Sequence, residues 1–170
     1  MSLPKLIMTD IDGVWTDGSM YYSENGDELK RFHTSDSAGV AYAHANQIPV
    51  AILTGEDTEI VARRAEKVGV DYVFQGVKDK VKIAQDLCAE LNIELSECAY
   101  IGDDLNDFQL LKRVGTSACP SNGQKFIQEI VDIVVPVQGG SGAFRTFVEQ
   151  ILHDNNALTD TLKTIVDDRV

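Results

Sequence analysis

Short, almost wholly apolar runs alternate along this chain with longer stretches whose apolar positions recur at helical spacing. The short runs are "KLIMTD" at the start, "IPVAILTG" (48–55), "VDYVFQG" (70–76), "ECAYIGDD" (97–104), "VGTSAC" and "DIVVP". Strands covered on both faces read as continuous apolar runs of this kind. Between them lie "SAGVAYAHANQ", "TEIVARRAEKVG", "DKVKIAQDLCAELN" and "NDFQLLKRVG". In the third of these, Val81, Ala84, Leu87, Cys88 and Leu91 mark one helical face. Gly69 and Gly115 stand where helices are expected to end. The alternation predicts an α/β fold, a Rossmann-like parallel sheet flanked by helices and joined by right-handed crossovers.

One stretch breaks the rhythm. In "SMYYSENGDELKRF" (19–32), Asn25-Gly26 separates two strand-like arms, the signature of a tight hairpin turn. A β-hairpin spanning about 19–33 is therefore expected between the first strand and the first helix. The pattern predicts a single domain over 1–152 and a helical tail over 153–170, with Leu158, Leu162, Ile165 and Val166 on one face. Linkers, repeats and low-complexity segments are not apparent.

Composition narrows the partners. The 170 residues suit one compact domain with a sizeable core. Acids outnumber bases 27 to 15, for a net charge of −12, which argues against nucleic acid and anionic membranes as partners. An anionic substrate would need local cations to draw it in. Cys88, Cys98 and Cys119 show no C-x-x-C spacing, so neither a disulfide framework nor a zinc site is expected, and a reducing compartment is. No stretch reads as a signal peptide or a membrane span, which makes the expected location cytoplasmic.

Ligands of open parallel sheets bind beyond the carboxyl ends of the strands. The first strand delivers Asp10 and Asp12 there, the second Thr54 and Gly55, and the fourth Asp103, Asp104 and then Asp107; Lys78 and Lys80 follow the third. Carboxylates buried at a strand end need compensation, and a divalent cation supplies it. A carboxylate can attack phosphorus, a second acid can move the proton, and a lysine with a hydroxyl can hold the transferred oxygens. Phosphoryl transfer is the chemistry these residue types serve together.

"DIDGVWTDG", "LTG", Lys80 and "GDDLND" resemble, in order, the four motifs of the haloacid dehalogenase superfamily of phosphatases. The resemblance implies Asp10 as nucleophile, Asp12 as general acid and base, and Thr54 and Lys80 as phosphoryl binders. It also implies Mg²⁺ held by Asp10, Asp103 and the backbone carbonyl of Asp12, with Asp107 and Asp104 in support. Beyond the motifs, "DGSMYYSENGDELKRFHTSDSAG", "VARRAEKVGVDYVFQGVKDK" and "GGSGAFR" resemble the small phosphatases of phosphorylated 3-deoxy-2-keto sugar acids, over the chain to about Leu152. Two groups of these exist, acting on the eight-carbon octulosonate 8-phosphate and on the nine-carbon nononate 9-phosphate. The eight-carbon group typically reads T-G-R where this chain has Glu56, and more often has Asp-Gly within what is here "TSDSAG" (34–39). Both departures favour a nine-carbon substrate, with the eight-carbon sugar acid as the alternative.

Only roughly twenty residues separate Val14 from Asp36, too few for the cap domain that covers many sites of this superfamily. At about 3.3 Å per residue each hairpin arm reaches only about 20 Å. A lone hairpin is marginal in water, so hairpins of several copies are expected to pair; the resemblance implies a tetramer in which one subunit shields the next one's site. Arg63 and Lys67 share a helix face, with Arg64 beside them, and are expected to anchor the substrate carboxylate. Gly55, Glu56 and Thr34, Ser35, Asp36 and Ser37 complete the expected substrate contacts. Each motif has a plainer reading: Asp103 to Asp107 as a helix cap, "KDK" as a solvated helix start, and Thr34 to Asp36 as an N-cap. His33 and His44 read as packing or surface residues, and Gly139, Gly140 and Gly142 as a turn that the resemblance brings near the site. Rival functions are a signalling receiver domain and a non-catalytic assembly domain. A receiver, however, pairs adjacent acids after its first strand, whereas here they alternate as D-x-D.

Overall fold

The computed structural model describes residues 2–26 and 28–167; Met1, Asp27 in the expected hairpin and 168–170 of the expected tail lie outside the described residues. Six strands form one sheet: β1 (Leu6–Thr9), β4 (Val50–Leu53), β5 (Tyr72–Phe74), β6 (Cys98–Ile101), β7 (Thr116–Pro120) and β8 (Ile133–Val135). All pairs are parallel, in the order β5-β4-β1-β6-β7-β8. The chain leaves β1 first toward β4 and later crosses to β6, so the order reverses beside β1, where such sheets open a crevice.

Side-chain alternation divides the core into two layers. Ile7, Val50, Ile52, Ala99 and Ile101 face one cluster. That cluster also receives α1 (Asp36–Ala45), α2 (Glu59–Val68) and α6 (Ala143–Asp154). Leu6, Met8, Ala51, Leu53 and Tyr100 face the other, under α3 (Lys80–Leu91), α4 (Phe108–Leu111) and α5 (Lys125–Gln128). Two helices carry their stop and start signals in the sequence. Thr58 and Asp79 accept from the backbone N–H groups of Val61 and Lys82, and Gly69 closes α2 at φ +76°.

Several expectations change. The segment "NDFQLLKRVG" forms only the single turn of α4, with Asp107 at its N-cap. Gly115 closes no helix; its N–H donates to the Leu95 and Cys98 carbonyls, and a β-carbon there would strike the Ser96 backbone. Helix α6 follows a period that the sequence reading passed over, with Phe144, Phe147, Val148, Ile151 and Leu152 buried. It packs on α1 where Gly39 leaves room for the Phe144 ring. The hairpin is smaller than its sequence suggests: β2 (Tyr21–Tyr22) and β3 (Glu28–Leu29) pair over two residues each. Tyr22 faces Glu28, so the connection is five residues rather than a two-residue Asn-Gly turn, and the Gly26 N–H donates to the Ser23 carbonyl at 3.1 Å.

The tail helix, α7 (Leu158–Asp167), turns Leu158, Thr161 and Ile165 toward the core. Leu162 and Val166 remain exposed, so the four apolar residues do not share one buried face. Asn46 Nδ2 donates to Thr161 Oγ1 at 2.8 Å, tying α7 to the end of α1. Among the described residues no helix is long and apolar enough to cross a membrane.

Candidate active site

β1 ends directly beneath the crevice, and the next residues coil tightly. The backbone N–H groups of Val14, Trp15 and Thr16 all donate to the Ile11 carbonyl. Ile11, Val14 and Trp15 are buried, with the Trp15 indole stacked on Phe144 at 4.9 Å and its Nε1 donating to Thr9 Oγ1. Burying these side chains turns the D-x-D backbone over the sheet edge and directs both acids upward. Gly13 adopts φ +87°, and a β-carbon there would collide with the Asp103 carboxylate. Gly139 and Gly140 press on the same loop from the other side, the Gly140 N–H donating to the Val14 carbonyl at 3.0 Å. The expected glycine turn therefore shapes the site by close approach.

A cavity of about 320 Å³ opens there, lined by Asp10, Asp12, Gly13, Gly18, Thr54, Gly55, Glu56, Asp103, Asp104 and Asn106. Asp10 is nearly enclosed; its Oδ1 accepts from the Ile11 N–H at 2.7 Å and its Oδ2 pairs with Lys80 Nζ at 2.9 Å. Thr54 Oγ1 is buried at the end of β4 and has no hydrogen-bond partner among the described residues. Lys80, at the first turn of α3, is buried between Asp10 and Asp107, 2.6 Å from the latter. Asp107 is itself fully buried. Its Oδ1 accepts from Lys80 and from the Tyr100 hydroxyl, and its Oδ2 from the backbone N–H groups of Asp103 and Asp104 at 2.9 and 3.2 Å. Asp107 thus holds the β6 loop and the lysine in register.

Asp10, Asp103 and Asp107 each place a carboxylate oxygen within 4.8 Å of the others. Asp107 takes two donors on each oxygen, whereas Asp10 takes one on each, so Asp10 and Asp103 keep acceptor capacity for a ligand. Their electrostatics ask for a cation. Burial first, then repulsion from Asp107, raises Asp10 to about 7 despite Lys80. Burial, with Asp10, Asp107 and Asp104 adding repulsion, raises Asp103 to about 8. Burial also opposes the charge on Lys80, but Asp10 and Asp107 outweigh it and raise its pKa. A cluster of carboxylates without thiol or imidazole suits a hard, oxygen-preferring divalent ion.

The substrate contacts expected from sequence divide. Gly55 and Glu56 line the cavity. Thr34, Ser35, Asp36, Ser37, Arg63, Arg64 and Lys67 do not line the cavity of their own chain. Asp36 is fully buried, its Oδ1 accepting from the Arg145 N–H at the start of α6. Burial raises its pKa to about 6. It joins α1 to α6, and its enclosure keeps it from a ligand. Arg64 Nη2 donates to the His33 carbonyl at 3.2 Å, and His33 Nδ1 lies 2.6 Å from Ser35 Oγ. Three participants escaped the sequence reading. Tyr100 reads as a core aromatic, Asn106 as a loop residue, and Lys30 as part of a charged hairpin arm. The interval from Asp12 to Lys30 carries no periodic signal that could have paired them.

A family model described as haloacid dehalogenase-like hydrolase matches residues 24–115. The 3-deoxy-D-manno-octulosonate 8-phosphate phosphatase of Haemophilus influenzae is 36% identical over 148 residues, covering 87% of this chain and 82% of that protein. A probable YrbI family phosphatase from Pseudomonas syringae superposes with a TM-score of 0.92 at 38% identity, covering 96% of this chain and 93% of that one. The octulosonate 8-phosphate phosphatase of Moraxella catarrhalis, solved with magnesium, phosphate and the sugar acid, gives a TM-score of 0.91 at 35% identity, covering 95% and 93%.

Proposed function

Since the chain belongs to the haloacid dehalogenase-like hydrolases, we propose that it is a Mg²⁺-dependent phosphatase of a 3-deoxy-2-keto sugar acid phosphate, working through an aspartyl-phosphate on Asp10. The observation that carries this reading is one cavity in which Asp10, Asp12, Asp103 and the unpartnered Thr54 hydroxyl meet at the sheet edge. In the forward step a carboxylate oxygen of Asp10 attacks phosphorus, the ester P–O bond breaks, and Asp12 gives its proton to the leaving sugar oxygen. Asp12 then takes a proton from water, which attacks the phosphorus of the aspartyl-phosphate and frees Asp10 and inorganic phosphate. Thr54 and Lys80 hold the transferred oxygens. Asp10, Asp103 and the Asp12 backbone carbonyl would hold Mg²⁺, which when bound offsets the charge on the nucleophile and phosphoryl group. Asp107 and Tyr100 act through Lys80 and the β6 loop.

Multiple turnover of an aryl phosphate with Mg²⁺, abolished by Asp10→Asn and by EDTA, is the expected result. A single stable phosphorylation would instead mark a receiver domain. For the sugar, the relatives' own names support the eight-carbon octulosonate 8-phosphate more strongly than the nine-carbon substrate expected from sequence. Glu56 at the cavity rim is the observation that favours the nine-carbon sugar, since its carboxylate can accept from the additional hydroxyl. Comparing kcat/KM for the two sugar acid phosphates decides between them, and Glu56→Arg should move the preference toward eight carbons. Arg63 and Lys67, exposed on α2 and outside the cavity of their own chain, are the carboxylate anchors of this reading, acting on the site of a neighbouring copy in the assembly. Lys67→Glu then raises KM for the sugar acid phosphate far more than for an aryl phosphate, and equal effects overturn that assignment. Tyr21, Tyr22 and Leu29 leave apolar surface exposed on the hairpin, 72% for Tyr22, which supports assembly through paired hairpins into a tetramer. Sedimentation as an active monomer at working concentration would exclude it.

A further inference from the structure

The returning arm of the hairpin is fastened to the D-x-D loop at two successive residues. Lys30 Nζ donates to both carboxylate oxygens of Asp12, at 2.8 and 2.7 Å. Arg31 donates to Asp17 Oδ2 through Nε at 3.2 Å and Nη2 at 3.0 Å. The second pair is exposed, as ion pairs at a rim usually are. The first is not: the Lys30 side chain is 0% exposed, while Asp12 keeps one side open to the cavity. An ammonium enclosed to that degree at the end of a two-residue strand is there for a partner, because its stem and head both give up water. Its position also restricts Asp12. With Lys30 bridging both oxygens and Thr16 Oγ1 3.3 Å from Oδ1, the carboxylate plane is set from two sides. Thr16 is in turn engaged by the N–H groups of Gly13 and Gly18.

We infer that Lys30 is a positioning residue for proton transfer, holding the Asp12 carboxyl at the angle from which it serves the leaving oxygen. The return arm of the hairpin then carries the residue that aims the acid. This rests on the reading of Asp12 as general acid, and the two can be tested apart. Proton donation matters most when the leaving oxygen is poor, so the readout is the ratio of kcat/KM for p-nitrophenyl phosphate to that for phenyl phosphate. Because kcat/KM covers only the steps up to phosphoryl transfer, water attack on the intermediate does not enter it.

Lys30→Met is expected to raise this ratio by about tenfold, a fraction of the full effect of a general acid. Asp12→Asn should raise it further, and Lys30→Met added to Asp12→Asn should raise it no more. An equal loss for both esters in Lys30→Met, or an additive change in the double variant, would show a purely structural lysine and overturn the inference. An unchanged ratio in Asp12→Asn would instead remove the general-acid reading and the inference with it. Lys30→Gln, whose uncharged amide is shorter by one bond and does not bridge both Asp12 oxygens as the ammonium does, serves if Lys30→Met does not fold, and the same rise in the ratio is expected of it.

Discussion

Removing Mg²⁺ while raising the pH isolates the energetic demand of the acidic cluster. In the unfolded chain Asp10 and Asp103 ionise near 3.8; in the fold burial, with repulsion from Asp107 on both and from Asp10 on Asp103, lifts them to about 7 and about 8. Between these limits the metal-free native state holds protons that the unfolded state has released. Its stability therefore falls as pH rises from about 4 to about 8 and levels off above that. At about 1.4 kcal/mol per pH unit, the rise of Asp10 from 3.8 to about 7 corresponds to about 4 kcal/mol and that of Asp103, to about 8, corresponds to about 6 kcal/mol; the two overlap because the Asp103 shift includes repulsion from Asp10. Bound Mg²⁺ favours the ionised carboxylates and so removes most of this loss. Asp36, raised to about 6 by burial, tilts stability the same way, but it lies outside the cavity and acts equally with and without metal. Urea unfolding in excess Mg²⁺ and in EDTA at several pH values separates the contributions. The gap between the two curves should widen by at least about 2 kcal/mol between about pH 5 and about pH 8. A gap independent of pH, or a metal-free protein that grows more stable toward about pH 8, would mean that Lys80 compensates Asp10 fully and that the argument from burial is wrong.

Asp107→Ala leaves Lys80 and the Tyr100 hydroxyl buried without their shared acceptor. It should destabilise the protein by about 3–5 kcal/mol in urea unfolding, and a loss below about 1 kcal/mol would contradict its role as the hub of the site. Thr54→Val removes a buried hydroxyl that has no partner among the described residues. Stability should stay level or rise by up to about 1 kcal/mol while kcat/KM falls about tenfold or more, a split that thermal melts and kinetics on one preparation would reveal. Gly13→Ala forces a β-carbon at φ +87° against the Asp103 carboxylate. Its Mg²⁺ affinity, measured by calorimetry, should drop about 10–100-fold with the fold retained.

The sheet and most of its helices were legible because each rests on local pattern. The six apolar runs became the six strands, and the residues at their ends met where parallel topology sends them. Gly69 marked the end of α2 through chemistry confined to a few neighbouring residues. Asp10, Asp12, Thr54 and Asp103 could be picked out because a parallel sheet turns strand order into spatial convergence. Other features depend on partners distant along the chain. Asp36 looked available to a ligand until the start of α6, 109 residues later, enclosed it. The saturation of Asp107 depends on Tyr100 rising from β6 and Lys80 descending from α3, which no spacing within "GDDLND" reveals. Lys30 reaches Asp12 only because the hairpin folds back over the loop that launches it. Hydrophobic periodicity and turn chemistry act over a few residues, so they determine elements and the edge where chemistry gathers. Burial, charge pairing and the aim of a carboxylate arise from contacts between elements, and only the tertiary structure decides those.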